Sequence, residues 1–202
     1  MLKSENLSYE KMKVEDICSF QYWGKHETPL LDDYNFYETT EEGFIDWFNW
    51  KTKNPLNKYM TIFKDGVPIG YIGYKGFNNI FKTATLGVVL DPNYVNKGYG
   101  QEAIITTMDY YFNTLNYKKI NLKVARYNKR AIALYEKLGF EKVSTSILFY
   151  ENGSFDDRIE DYRNNKECFL NIMGKTFFYA DKMVINRKKF DGVIKCISNF
   201  KI

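Results

Sequence analysis

Two glycines one residue apart, Gly98 and Gly100, sit where a loop turns into a helix. They close the stretch Asp91–Gly100, DPNYVNKGYG. An apolar strand-like run precedes it, and a run with helical period follows: Ile104, Ile105, Met108, Tyr111, Phe112 and Leu115. The first backbone N–H groups of a helix have no partner inside the helix. Glycine lets a ligand approach them and permits backbone angles closed to other residues. The helix N-terminus also attracts negative charge, so this order of residues predicts a phosphate cradle built from main chain. We expect it to hold a pyrophosphate. Two other readings fit the glycines: a tight turn without a ligand, and the dinucleotide fingerprint G-x-G-x-x-A through Gly98, Gly100 and Ala103. A Walker loop does not fit, because no Gly-Lys-Ser/Thr follows.

The dinucleotide reading fails on context. Its glycines follow the strand almost at once, whereas DPNYVNK intervenes here. An acidic residue should end the next strand and hold a ribose. That strand ends Val124-Ala125-Arg126.

A second constellation lies in residues 128–140, NKRAIALYEKLGF, with Asn128, Ala131, Tyr135, Gly139 and Phe140 at fixed spacing. Asparagine is among the best helix N-caps, and glycine closes helices in the left-handed conformation. With the cradle upstream, the chain resembles the GNAT superfamily of N-acetyltransferases. Their acetyl-CoA signature is roughly Arg/Gln-x-x-Gly-x-Gly/Ala after a strand. An Asn-x-x-Ala-x-x-x-Tyr-x-x-x-Gly-Phe run then follows. The resemblance covers roughly residues 5–145 in element order and is specific in windows 84–103 and 128–140. The wording LGVVLDPNYVNKGYG and two N-terminal helices are similar to the ribosomal-protein and polyamine acetyltransferase branch.

The resemblance implies roles. The pantetheine arm of acetyl-CoA would bond the backbone of Val88, Val89 and Leu90, which also read as core strand residues. The pyrophosphate would meet the amides of Val95, Asn96, Lys97, Gly98, Tyr99 and Gly100. Val95 stands where the family usually has Arg or Gln, so a side-chain contribution there is lost and the backbone cradle remains. Asn128 would hydrogen-bond the cofactor arm, cap its helix, or do both. Arg130 would lie toward the 3′-phosphate or in solvent. Tyr135 would give a proton or hydrogen bond to the departing thiolate; its spacing with Ala131 and Leu138 also suits a core aromatic.

The base is missing from the pattern. Many members of the superfamily carry a glutamate on the central strand, in a run like Ala-Glu-Ile-Gly. Here the run is Ala84-Thr85-Leu86-Gly87, and a threonine is no base at neutral pH. The remaining choices are a water relay held by Tyr71, Tyr74 or Thr85, or His26 or Glu27 in the first loop.

The elements that must position these groups follow from periodicity and turn chemistry. Leu7–Met12 reads as a strand and Val14–Trp23 as a short amphipathic helix, followed by a loop over Gly24–Tyr37. Thr39 opens a second helix with Glu42 as its capping-box partner, burying Phe44, Trp47 and Phe48. Lys58–Phe63 and Val67–Tyr74 form a hairpin about Asp65-Gly66. Strands are predicted at Thr83–Leu90 and Lys119–Ala125, a helix from Asn128 to Leu138, and strand again from Phe140. The resulting fold class is α/β (α+β): a GNAT-type mixed, mostly antiparallel central sheet flanked by helices, with an extended C-terminal segment. One domain over 1–202 is expected, its core about 5–148 and its closing strands and extension about 149–202. In that extension Phe149–Ser154 carries a hairpin signal. Asp156–Lys166 is a loop or short helix, Thr176–Ile185 is the closing strand, and Val193–Phe200 is an apolar run able to pack on this chain or a partner.

Composition narrows the rest. The 202 residues suffice for one sizeable core, and the net charge of +4 is mild for a nucleic-acid binder. Cys18, Cys168 and Cys196 form no C-x-x-C pair, so no metal site is expected and a reducing cytoplasm is the simplest setting. No signal-peptide core or membrane-length apolar run is present, so no membrane partner is expected. Lysine-rich, asparagine-rich usage suggests a bacterial source. From His26 through Trp50 there are seven acids, Glu27, Asp32, Asp33, Glu38, Glu41, Glu42 and Asp46, and no lysine or arginine. They read either as a solvated face or as the lining for a cationic amine acceptor, a small molecule or a protein N-terminus. Acetyl-CoA is then the expected co-substrate, the attack direct, and a homodimer compatible with the tail. The rival reading is a non-catalytic acyl-CoA-binding sensor or interaction protein.

Overall fold

A computed structural model of the chain describes residues 1–151 and 156–199. They fall into two compact units. One comprises residues 1–25 and 35–120; the other comprises 26–34 and the chain from Asn121 on.

The first unit is an antiparallel sheet with helices on both faces. Its strands are β1 (Leu2–Lys3), β2 (Ser8–Lys11), β3 (Lys58–Lys64), β4 (Val67–Asn78) and β5 (Thr83–Leu90), each antiparallel to the next. The β3–β4 turn has both Asp65 (φ 49°) and Gly66 (φ 80°) in the left-handed region, the demand of a tight turn matched to strand twist. On one face α1 (Val14–Cys18), the 3₁₀ turn Ser19–Tyr22 and α2 (Glu41–Thr52) bury Ile17, Phe20 and Phe44 against Met12 and Tyr59, with Trp47, Tyr71 and Val89 packed alongside. Phe20 stacks on Trp23 with ring centroids 3.9 Å apart. On the other face α3 (Tyr99–Asp109) buries Ala103, Ile104 and Met108. There the Tyr74 hydroxyl donates to Thr107 Oγ1 at 3.0 Å, and Thr107 donates to Ala103 O at 2.8 Å. The N-terminal segment is tied to α3 by Glu102, which accepts from Ser4 Oγ (2.6 Å) and Asn6 N (2.7 Å).

The second unit begins within β6 (Lys119–Ala125), where the boundary falls after Ile120. It continues through α4 (Lys129–Lys137), β7 (Glu141–Phe149), α5 (Glu160–Arg163), β8 (Phe169–Ile172), β9 (Lys175–Asn186) and α6 (Arg187–Asn199). Strand β9 pairs antiparallel with β7 and with β8. Asp181 on β9 locks that sheet, accepting from Thr145 at 2.7 Å and pairing with Arg126 at 3.1 Å and Lys142 at 2.9 Å. Residues 26–34 join this unit through a 3₁₀ turn over Pro29–Tyr34. Tyr150 donates to Pro29 O at 3.0 Å and packs among Leu30, Tyr127, Tyr162 and Phe169.

The expected fold class holds, and the strands at Thr83–Leu90 and Lys119–Ala125 have the expected bounds. Several expectations are corrected. Thr40, not Thr39, caps α2, its side chain accepting from Gly43 N; Gly43 therefore stands where Glu42 would have closed a capping box. The helix from Val14 turns 3₁₀ at Ser19. Leu115 is exposed, because the turn Tyr110–Thr114 is π-helical, with Leu115 N bonded to Tyr110 O at 3.0 Å. The wider turn rotates Leu115 off the buried stripe. Strand β8 was unforeseen: its hairpin to β9 uses Met173 and Gly174 at positive φ rather than an Asn-Gly or Asp-Gly pair. The hairpin signal at Phe149–Ser154 runs into residues 152–155, which lie outside the described residues, as does Phe200.

Two outcomes follow. Gly139 has φ 88°, and a Cβ there would meet Val193 Cγ2 at 2.9 Å. Gly139→Ala should therefore lower stability by about 2 kcal/mol in urea unfolding, with m unchanged. Burial alone would raise the pKa of Glu102, but hydrogen bonds from Ser4, Asn6 and Leu7 outweigh it and hold it below the ordinary value. A carboxylate with a depressed folded pKa contributes stability above its unfolded pKa and loses it as pH falls through the folded one. Glu102→Gln should thus cost stability at pH 7 and flatten the loss of stability on acidification below about pH 4.5, read from Tm against pH.

Candidate active site

In the first unit the site is built at the end of β5. Val88, Val89 and Leu90 pair with Ile72, Tyr71 and Gly70 of β4 and are half-buried. Asp91, 5% exposed, follows the strand. Its carboxylate accepts from Gly24 N at 3.0 Å and Asn93 N at 2.9 Å, the local bond that makes Asp-Pro a turn starter. A 3₁₀ turn over Pro92–Tyr94 follows, closed by Val95 N to Pro92 O at 3.4 Å. The amide of Val95 is therefore engaged in the chain.

Beyond it the backbone changes hand. Asn96 has φ 60° and Gly98 has φ 84°. Gly98 is the N-cap of α3, with no side-chain cap. The amides from Asn96 to Gln101 hydrogen-bond to nothing among the described residues, and the ladder starts with Glu102 N to Gly98 O at 3.0 Å. A Cβ at Gly98 would meet nothing within 4 Å. The glycine is thus required by its φ, and the space beside it is open. Lys97, exposed, lies over the Tyr94 ring at 5.3 Å. A row of free amides at a helix start fits an anionic phosphate.

In the second unit Asn128 caps α4, accepting from Ala131 N at 3.2 Å. Its side chain also hydrogen-bonds the Tyr34 phenol, so the 3₁₀ turn is fastened to the start of the helix. Tyr135 is 8% exposed and meets Phe140 edge-on at 5.6 Å. Burial, then the nearby Tyr34, pushes its pKa far up, so the phenol stays protonated through the neutral range. Its hydroxyl has no hydrogen-bond partner among the described residues. Buried hydroxyls nearly always have one. Tyr135 is thus a protonated donor without an acceptor.

The other residues sort themselves. Arg130 is exposed. His26 lies edge-on to Tyr34 at 6.5 Å; burial, then Arg130, lowers its pKa, so it is neutral at pH 7. Tyr74 is fully engaged with Thr107 inside the core, which removes it from a proton relay. The acidic segment is divided between the units: Glu27, Asp32 and Asp33 belong to the second, Glu38 to Asp46 to the first. Glu41 and Glu42 occupy the first turn of α2, where acids are favourable without any ligand. Asp91 and Tyr34 were not foreseen. The Asp-Pro pair carried a signal for the first; nothing local ties Tyr34 to Asn128.

A model of the GNAT acetyltransferase family matches residues 25–140. The chain belongs to that family, and its reaction is acetyl transfer to an amine. Among its relatives, spermidine N(1)-acetyltransferase of Escherichia coli K12 is 26% identical over 163 residues, covering 78% of this chain and 80% of the relative. An uncharacterized N-acetyltransferase, p20, of Bacillus licheniformis is 31% identical over 150 residues, covering 70% and 82%. Among solved structures, a spermidine N-acetyltransferase SpeG chimera from Vibrio cholerae and hSSAT has a TM-score of 0.67 at 20% identity, covering 92% of this chain and 98% of that one. No helix among the described residues is long and apolar enough to cross a membrane, and no described cluster of His, Cys, Asp and Glu is arranged to hold a metal.

Asn128→Ala should cost about 1 kcal/mol from the lost cap alone, with a further loss through Tyr34. Asn128→Asp should recover the cap portion, as read by urea unfolding.

Proposed function

We propose that the chain takes its acetyl group from acetyl-CoA and passes it to a primary amine of a small molecule, with Tyr135 as the proton donor. The observation that carries this reading is the buried, protonated Tyr135 hydroxyl without a partner. When bound, the thioester supplies an electrophilic carbonyl and a sulfur that leaves with negative charge. The amides from Asn96 to Gly100 hold the pyrophosphate through backbone donors, and Lys97 adds charge. The backbone of Val88, Val89 and Leu90 orients the arm. Asn128 presents its amide beside the arm while capping α4. Tyr135 gives its proton, or a full hydrogen bond, as the C–S bond breaks. No cysteine lies in either motif, which suits direct attack by the amine.

Residues 1–202 act as one acetyltransferase domain in this reading, with the tail helping to close the fold, in a bacterial cytoplasm. A polyamine acceptor is the second reading, favoured by the spermidine acetyltransferases among the relatives. One related Vibrio structure is dodecameric, and a homo-oligomer is proposed here in that light.

Tyr135→Phe should lower kcat about 100-fold while the Kd for acetyl-CoA, from calorimetry, stays within twofold. Thiol release with and without an amine is the assay. Unchanged turnover would remove Tyr135 from the mechanism. Acetyl-CoA binding without amine-dependent thiol release would instead favour a non-catalytic acyl-CoA binder.

A further inference from the structure

On the α2-bearing face of the first unit, Tyr59, Gly73 and Gly87 lie in register across β3, β4 and β5. A Cβ at Gly73 would strike the Tyr59 ring at 2.3 Å, so that ring fills the place of a side chain. At Gly87 a Cβ would meet only Lys75, whose Cε and Nζ are each 3.9 Å away. Bare backbone therefore lies open under a lysine. A second cation stands nearby. Lys51, from the last turn of α2, holds its ammonium 4.1 Å from the Trp50 ring, 5.0 Å from Trp47 and 5.4 Å from Tyr71. Among the described residues neither ammonium has a hydrogen bond or an ion pair. Lys51 is half-buried; burial first, and the charge of Lys75 second, lower its pKa to about 8.

Two unneutralised cations on one face of the sheet repel each other, and an anion bound there would relieve that repulsion. Aromatic faces partly offset the charge of Lys51 but supply no counter-charge. The strand beneath is the one assigned above to the acyl-CoA arm, which runs from the cradle past Leu90, Val89 and Val88. Its next residue is Gly87.

We propose that Lys51 and Lys75 recognise an anionic group on the acceptor, so that the preferred substrate is an amine carrying a carboxylate or phosphate rather than a polycation. This rests on the acetyltransferase reading, because the acceptor must meet the thioester end of the arm. The lysine pair selects by charge: it holds an anion and repels a second ammonium. A bound anion offsets the repulsion from Lys75, the smaller of the two causes that lower the Lys51 pKa, while the effect of burial remains.

The test uses the full chain with matched acceptors differing only in the anion: butylamine against 4-aminobutyrate, ethanolamine against phosphoethanolamine, with spermidine as the polycation. The anionic member of at least one pair should show kcat/KM at least tenfold above its neutral partner and above spermidine. The carboxylate and phosphate arms tell which anion is preferred. Lys75→Gln, an exposed position, should close that gap by raising KM, and Lys51→Gln should do the same. Preference for the neutral members or for spermidine, or an equal loss on both members in the variants, would overturn the proposal. If no amine is acetylated and acetyl-CoA does not bind, the acetyltransferase roles fail. The lysine site is then judged by titrating the wild-type chain with inorganic phosphate and following tryptophan fluorescence. A saturable change that weakens tenfold in Lys75→Gln supports the site, and a flat titration refutes it.

Discussion

The start of α3 is left without hydrogen-bond acceptors, and the surrounding structure keeps it so. An ordinary helix would cap its first amides with a Ser, Thr, Asp or Asn side chain. Here the N-cap is Gly98, which has none, and its left-handed φ turns the chain so that the amides stay unbonded. The neighbouring polar groups are engaged elsewhere. Asp91 holds Gly24 and Asn93, and Glu102 holds Ser4 and Asn6. Neither carboxylate is left to satisfy the helix start and block an anion. The sheet behind it carries buried aromatic layers on both faces.

The same logic of partnered and unpartnered polar groups separates the tyrosines. Tyr74 donates to Thr107, and Tyr150 donates to Pro29 O and meets Tyr162 at 2.9 Å. Both hydroxyls serve the fold. Tyr135 is buried to a similar degree and has no such partner. Burial raises the pKa of all three, so proton affinity does not distinguish them. Only the missing partner does.

Charge on the first unit follows burial more than sequence. The acids from Glu38 to Asp46 are all exposed, while Lys51, a few residues on, is half-buried among aromatic rings. A conspicuous charge run ended in solvent, and a single unremarked lysine ended in an environment that alters its chemistry. Desolvation decides this, and it depends on which side chains converge from α2 and β4.

Much was legible in the sequence because it depends on neighbours along the chain. The left-handed glycines, the Asn128 cap, the Asp65-Gly66 turn, the strand at Thr83–Leu90 and the two motif windows are local backbone preferences. They survive whatever packs around them. The tertiary structure alone decided that Leu115 turns outward after a π turn, that Met173 and Gly174 close a hairpin, and that residues 26–34 pack with the chain beyond Asn121. It also decided that Tyr34 fastens Asn128, that the Tyr135 hydroxyl lacks a partner, and that Lys51 and Lys75 share one face with Gly87. Apart from the two turns, each depends on which residues far apart in the chain come together and which do not. Backbone propensity carries no information about such contacts, and burial, which sets the charge and reactivity of these groups, exists only once they are made.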